Sequence, residues 1–181
     1  YGYLRLEKDN AGLHRVFDYN YDFTRKLFYT SIREGSRTDE YWYNSQGEMV
    51  RHNVNGKTEK TVHIEGMVHT VTGAAGEKTV KEYDNAWNLL RVIHPDNSEE
   101  KSEYNAFGQP VRRVDPAGTV TAYAYDASGN LLKMTEAQGT NLERNSTFTY
   151  DARGNQLTAT RGRAVTRMEY DEWDNPVRQV D

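Results

Sequence analysis

The run Tyr125-Asp126-Ala127-Ser128-Gly129-Asn130-Leu131 comes back twenty-five residues later as Tyr150-Asp151-Ala152-Arg153-Gly154-Asn155-Gln156. With the tyrosine as position zero, matching units begin at Tyr21, Tyr43, Tyr83, Tyr104, Tyr125, Tyr150 and Tyr170, at intervals of 22, 40, 21, 21, 25 and 20 residues. A unit of this length is one supersecondary element that cannot bury its own apolar surface and has to stack on its neighbours. The 40-residue interval reads as two units whose middle tyrosine is replaced near His63, and the first twenty residues read as a further unit starting at Tyr1. The expected organisation is about nine units: 1–20, 21–42, 43–62, 63–82, 83–103, 104–124, 125–149, 150–169 and a truncated 170–181.

Position one is Asp or Asn in all seven clear units: Asp22, Asn44, Asp84, Asn105, Asp126, Asp151 and Asp171. A short polar side chain there hydrogen-bonds the amide two residues on and starts a turn. Position four is Gly47, Gly108, Gly129 or Gly154 in four of the units. That spacing suits a type I turn followed by a left-handed residue, which joins two antiparallel strands. Position seven is apolar throughout (Phe28, Val50, Leu90, Val111, Leu132, Leu157, Val177), and position eight is basic in five units (Arg51, Arg91, Arg112, Lys133, Arg178). Alternation of this kind predicts a strand with position seven packed and position eight wet. Second turns are marked by His94-Pro95-Asp96-Asn97, Asp115-Pro116-Ala117-Gly118 and Ala137-Gln138-Gly139, and strands such as Thr119–Tyr125 return the chain. The expected fold is all-β, a solenoid or spiral sheet of consecutive antiparallel hairpins.

Composition agrees. Thirteen tyrosines and 14 glycines against 4 prolines favour strands and turns over disorder, despite a hydrophobic fraction of 36% and a mean hydropathy of −0.94. A net charge of −4, from 23 basic and 27 acidic residues, argues against a nucleic-acid partner or an acidic membrane surface. No apolar run approaches the roughly 20 residues that span a bilayer, so membrane insertion is not expected. Without cysteine there is neither disulfide nor thiolate chemistry. The opening YGYLRLEKDN has no signal-peptide layout and no initiator Met, which reads as an internal fragment.

The phased Tyr-Asp-x-x-Gly-Asn-x-Leu pattern resembles the YD repeats of Rhs proteins, of the B and C components of insecticidal toxin complexes, and of teneurins. The best copies span 104–181; over 1–82 Arg25 replaces the turn glycine, and Gly66, Gly73 and Gly76 fall off phase. The resemblance implies a wall. In those families the repeats coil into a hollow shell around a toxic C-terminal domain, or form an extracellular adhesion barrel. It further implies the remaining repeats and a toxin domain of the parent chain as partners, and export or delivery as part of a larger protein.

Sharper chemical motifs fare less well. Thr72-Gly73-Ala74-Ala75-Gly76-Glu77-Lys78-Thr79 resembles a phosphate loop, but Glu77 separates Gly from Lys and a strand pattern follows. His63, Glu65 and His69 would share one face of an unbroken strand and could hold zinc, but Gly66 interrupts that strand and no fourth ligand is evident. No serine sits in a nucleophile turn. Pro110-Val111-Arg112-Arg113-Val114-Asp115-Pro116-Ala117-Gly118-Thr119 is similar to the Pro-x4-Asp-Pro-x-Gly-Leu signature that ends the Rhs core. Thr119 replaces its leucine and three further repeats follow, so an ordinary turn is expected. Asn145-Ser146-Thr147 is a formal glycosylation sequon.

No catalytic residue, cofactor or metal site is therefore expected, and the chain reads as non-enzymatic. The residues expected to matter are those of the repeat motif: Tyr83, Asp84, Tyr104, Gly108, Tyr125, Asp126, Gly129, Tyr150, Asp151, Gly154, Tyr170 and Asp171. A ligand surface, for glycans in the alternative adhesion role, would be built from Trp42, Trp87 and Trp173 with Arg91, Arg112 and Lys133. The basic residues also read as a solvated face paired with Glu99, Glu100 and Glu103 on returning strands.

Overall fold

The computed structural model describes residues 3–8 and 14–181, with side chains from residue 15 onward. Tyr1, the expected lead of the first unit, lies outside the described residues. The chain forms two compact bodies, one of residues up to Glu82 together with His94–Asp96, the other of Tyr83–Ile93 and Asn97–Asp181.

The first body contains β1 (Tyr3–Lys8), β2 (His14–Asp22), β3 (Leu27–Glu34), β4 (Arg37–Tyr43), β5 (Met49–Val54), β6 (Lys57–Glu65), β7 (Val68–Gly73) and β8, which runs Lys78–Tyr83. Each pairs antiparallel with the next. The second body contains β9 (Leu89–Ile93), β10 (Glu99–Tyr104), β11 (Pro110–Val114), β12 (Val120–Tyr125), β13 (Leu131–Glu136), β14 (Arg144–Tyr150), β15 (Gln156–Arg161), β16 (Ala164–Tyr170) and β17 (Pro176–Val180). It follows the same hairpin-after-hairpin order. The fold is all-β.

Few apolar side chains are withdrawn from water. Among the described residues Val92, at 8% exposure, is the one buried hydrophobic side chain, and Ser31, Asn53, Thr135 and Ser146 are the buried polar ones. Strand pairing and polar contacts therefore carry more of the cohesion than an apolar core does.

The packed role expected for position seven is overturned. In β11, Val111 is skipped: Pro110 opposes Tyr104 and Arg112 opposes Glu103. The same skip leaves out Val50, Leu132, Leu157 and Val177. In these five units position seven is the extra residue of a β-bulge, which takes it out of the alternation from which packing was inferred. Leu132 and Val177 are accordingly 39% and 61% exposed.

Turn chemistry follows the short polar residues. Gly47, Gly108, Gly129 and Gly154 all have positive φ. Where glycine is absent, Trp87 (φ 64°) and Asp174 (φ 65°) adopt the left-handed conformation at position four. In the Tyr21 unit the left-handed residue is Lys26, φ 56°, one place beyond Arg25.

Candidate functional site at the repeat boundaries

Each clear tip of the second body is closed by the same clasp. The Asp126 amide donates to the Asn130 carbonyl at 2.9 Å, and the Gly129 amide to the Asp126 carbonyl at 3.1 Å. Asp126 Oδ1 accepts from the amides of Ser128 (2.9 Å) and Asn130 (2.8 Å), and its Oδ2 accepts from Asn130 Nδ2 at 2.9 Å. Asp84 with Asn88, Asp151 with Asn155, and Asp171 with Asn175 repeat the arrangement at 2.8–3.0 Å. Asn105 joins Gln109 in the same way. Donation from the position-five asparagine, first by its side chain and then by its backbone, holds the carboxyls of Asp84, Asp126, Asp151 and Asp171 below the ordinary aspartate value.

Successive repeats are tied at two places. At the tips, Gln109 Nε2 donates to the Gly129 carbonyl at 2.7 Å, and Asn155 Nδ2 to Asp174 Oδ1 at 2.6 Å. Position five of one tip thus faces position four of the next. A methyl group on Gly129 would lie 3.2 Å from Gln109 Nε2, and one on Gly108 would lie 3.3 Å from Asn88 Oδ1. Behind the tips, four lead tyrosines donate their hydroxyls to the position-six carbonyl of the preceding repeat. Tyr104 reaches Leu89 (3.1 Å), Tyr125 reaches Pro110 (2.9 Å), Tyr150 reaches Leu131 (3.0 Å) and Tyr170 reaches Gln156 (3.0 Å). Partial burial raises the phenols of Tyr125 and Tyr150 above their ordinary value.

The sequence pointed to the tyrosine, aspartate and glycine of this ladder but gave position five no role. The asparagine of the repeated Gly-Asn pair was the available signal. Tyr83, the lead of its own unit, packs its ring 5.8 Å from that of Trp87.

The suggested ligand surface resolves into separate local contacts. Trp42, in β4, tilts against Tyr29 at 5.1 Å and takes the Arg51 guanidinium at 5.2 Å. Trp87 and Trp173 occupy turn tips, 53% and 73% exposed. Arg91 is bound to Glu99, whose carboxyl that contact lowers to about 2, and Arg112 meets Glu103 at 3.1 Å. Lys133 lies opposite Ala124 and Thr147 and is exposed.

The remaining motifs are turns. Gly73 and Glu77 close the β7–β8 hairpin, and β8 follows where a nucleotide loop needs a helix. His63 opposes Thr70 and His69 opposes Ile64, which places His69 on the other face from His63 and Glu65. Among the described residues no group of three metal-ligating side chains assembles. Asp115 repeats the tip clasp, accepting from the amides of Ala117 (2.9 Å) and Thr119 (2.8 Å). Among the described residues no helix is long and apolar enough to cross a membrane.

The RHS repeat family model matches residues 104–140, which run from the end of β10 through β13 and include the Asp126 clasp. This is an RHS-repeat chain. Its repeats are 31% identical over 162 residues to the Double-stranded DNA deaminase toxin A of Burkholderia cenocepacia (strain H111), covering 76% of this chain and 11% of that protein. The crystal structure of TcdB2-TccC3-TEV shares the fold, with a TM-score of 0.62 at 13% identity, covering 97% of this chain and 11% of that one. The RHS-repeat chain thus spans about a tenth of each.

Proposed function

We propose that this chain is a wall segment of an RHS-type shell that encloses a toxic domain carried elsewhere on the same parent protein. The single observation behind this reading is the boundary ladder. Four tyrosine hydroxyls and the Gln109 side-chain amide bind repeat to repeat through backbone acceptors, so the sheet of the second body holds together with almost no apolar core. A wall of that kind is extendable and polar, which suits a container. The likeness to a protein named as a toxin supports the cargo's character. In this role the nine sequence units act as passive material and do no chemistry, and the wall is exported or delivered with its cargo.

The test is proteolysis of the full-length parent protein. Limited trypsin should leave the enclosed domain intact in the wild type and degrade it when Tyr104, Tyr125, Tyr150 and Tyr170 are all replaced by Phe. A domain cut equally fast in both proteins would remove the enclosing role.

The exposed Trp87 and Trp173 favour a second reading, an extracellular adhesion surface for glycans or proteins. Saturable retention on a glycan array, lost when both are changed to Ala, would select it.

A further inference from the structure

Asn55 and Gly56 close the β5–β6 hairpin, with Val54 opposite Lys57. Both residues are left-handed, at φ 49° and 78°, the two-residue loop geometry that Asn-Gly favours. Asn55 also binds a third strand. Its backbone N–H donates to the Thr38 carbonyl at 2.8 Å, and its Oδ1 accepts the Thr38 N–H at 2.8 Å. Because Asp39 pairs with Val54, main chain and side chain of Asn55 together extend the β4–β5 ladder by one step. Both loop residues are exposed to water.

Asn55-Gly56 is the only Asn-Gly pair in the sequence. Glycine after asparagine leaves the next amide nitrogen unhindered and its backbone free to rotate, which favours attack on the side-chain amide. We propose that Asn55-Gly56 is a modification site gated by the fold. It is inert while Asn55 is docked on Thr38, and it converts to aspartate and isoaspartate when the β5–β6 hairpin leaves β4.

The chemistry needs only water. Hydroxide removes the Gly56 amide proton, and that nitrogen attacks Asn55 Cγ. The Cγ–Nδ2 bond breaks, and ammonia departs with a proton from water. Water then opens the five-membered imide. Opening at Cγ gives aspartate, while opening at the Asn55 carbonyl carbon gives isoaspartate, whose chain runs through Cγ. No oxidant or reductant is involved.

The gate is geometric. Attack requires Cγ to swing onto the Gly56 nitrogen, whereas the Thr38 N–H holds Oδ1 and the Thr38 carbonyl holds the Asn55 N–H. Aspartate keeps an oxygen that can accept from Thr38. Isoaspartate adds a methylene to the loop and loses the acceptor at that reach, so the hairpin cannot dock again.

The experiment incubates the 181-residue chain at mildly alkaline pH in native buffer and in urea, with folding of the native sample verified by amide protection in β3, which belongs to the same body as the hairpin. Conversion at residue 55 is read by peptide mass spectrometry with isoaspartyl methyltransferase labelling. We expect ready conversion in urea and a rate at least about tenfold lower in native buffer, equivalent to about 1.4 kcal/mol of hairpin opening. Equal rates in the two samples would overturn the gate, and an intact Asn55 in urea would overturn the site. Asn55→Asp, made genetically, should keep hydrogen-exchange protection at the Thr38 amide. The isoaspartyl form, refolded from urea, should lose it. Undiminished protection in that form would overturn the block on docking.

Discussion

The Tyr125 hydroxyl lies 2.9 Å from the Pro110 carbonyl, fifteen residues back along the chain, and this bond ties one repeat to the one before it. Its geometry is that of an ordinary neutral hydrogen bond. Tyr125→Phe keeps the ring and removes only the donor, so it should cost about 1 kcal/mol of unfolding free energy. Tyr123, on the same strand, pairs with Met134 and has the Arg113 guanidinium 6.0 Å from its ring centre, with no hydrogen bond of the Tyr125 kind. Tyr123→Phe should therefore stay within about 0.5 kcal/mol of wild type. Urea denaturation of both variants provides the comparison, and equal losses would remove the hydroxyl's special role.

The tip clasp predicts a specific acid response. Asp84, Asp126, Asp151 and Asp171 titrate below their ordinary value of 3.8 in the folded chain, chiefly because Asn88, Asn130, Asn155 and Asn175 donate to them. A carboxyl whose folded value is lowered contributes stability that is fully present above its unfolded value and is lost as pH falls through the folded one. Changing all four aspartates to Asn should therefore flatten the fall in stability below about pH 4. The readout is the difference between variant and wild type across an acid series, because Asp39 and Glu99, both near 2, lose their partners in either protein. A wild-type curve and a variant curve of the same slope would contradict the clasp.

Left-handed turn glycines answer two demands that can be separated. Gly118 (φ 81°) has nothing within 4 Å of an added methyl, whereas Gly129 (φ 89°) would press that methyl to 3.2 Å from Gln109 Nε2. Gly118→Ala should cost only the left-handed strain, about 1–2 kcal/mol. Gly129→Ala should cost more, and Gln109→Ala added to it should cancel part of the excess. Thermal melts of the single and double variants decide this; a double variant worse than the sum of its parts would refute the contact.

What could be read in the sequence was local. The Asp or Asn of the turn and the left-handed glycine act within five residues, and residue type alone betrays them. The tyrosine tie was hidden because its acceptor is a backbone carbonyl fourteen to nineteen residues upstream, borne by Leu89, Pro110, Leu131 or Gln156 with no common side chain. Trp87 in a left-handed turn was equally invisible, since bulky side chains avoid that region unless the surrounding loop dictates it. Position seven was misread for a different reason. A conserved spacing of apolar residues looks like a packed face only if pairing is unbroken, and one extra residue per hairpin breaks it.

That misreading has a measurable counterpart. Leu132 is the skipped residue opposite the Ala124–Tyr125 step and is 39% exposed, whereas Val92 is buried at 8%. Were the period-two reading right, Leu132→Thr would open a hole and Val92→Ala would be the milder change. The bulge reverses the order. Leu132→Thr should fall within about 0.5 kcal/mol of wild type, as surface changes usually do. Val92→Ala removes two buried methyl groups and leaves their space unfilled, so it should cost about 2 kcal/mol. Urea unfolding monitored by far-UV circular dichroism ranks the two directly. A larger loss at Leu132 would mean that the bulged leucines are covered, and that a second layer of protein lies on that face in solution.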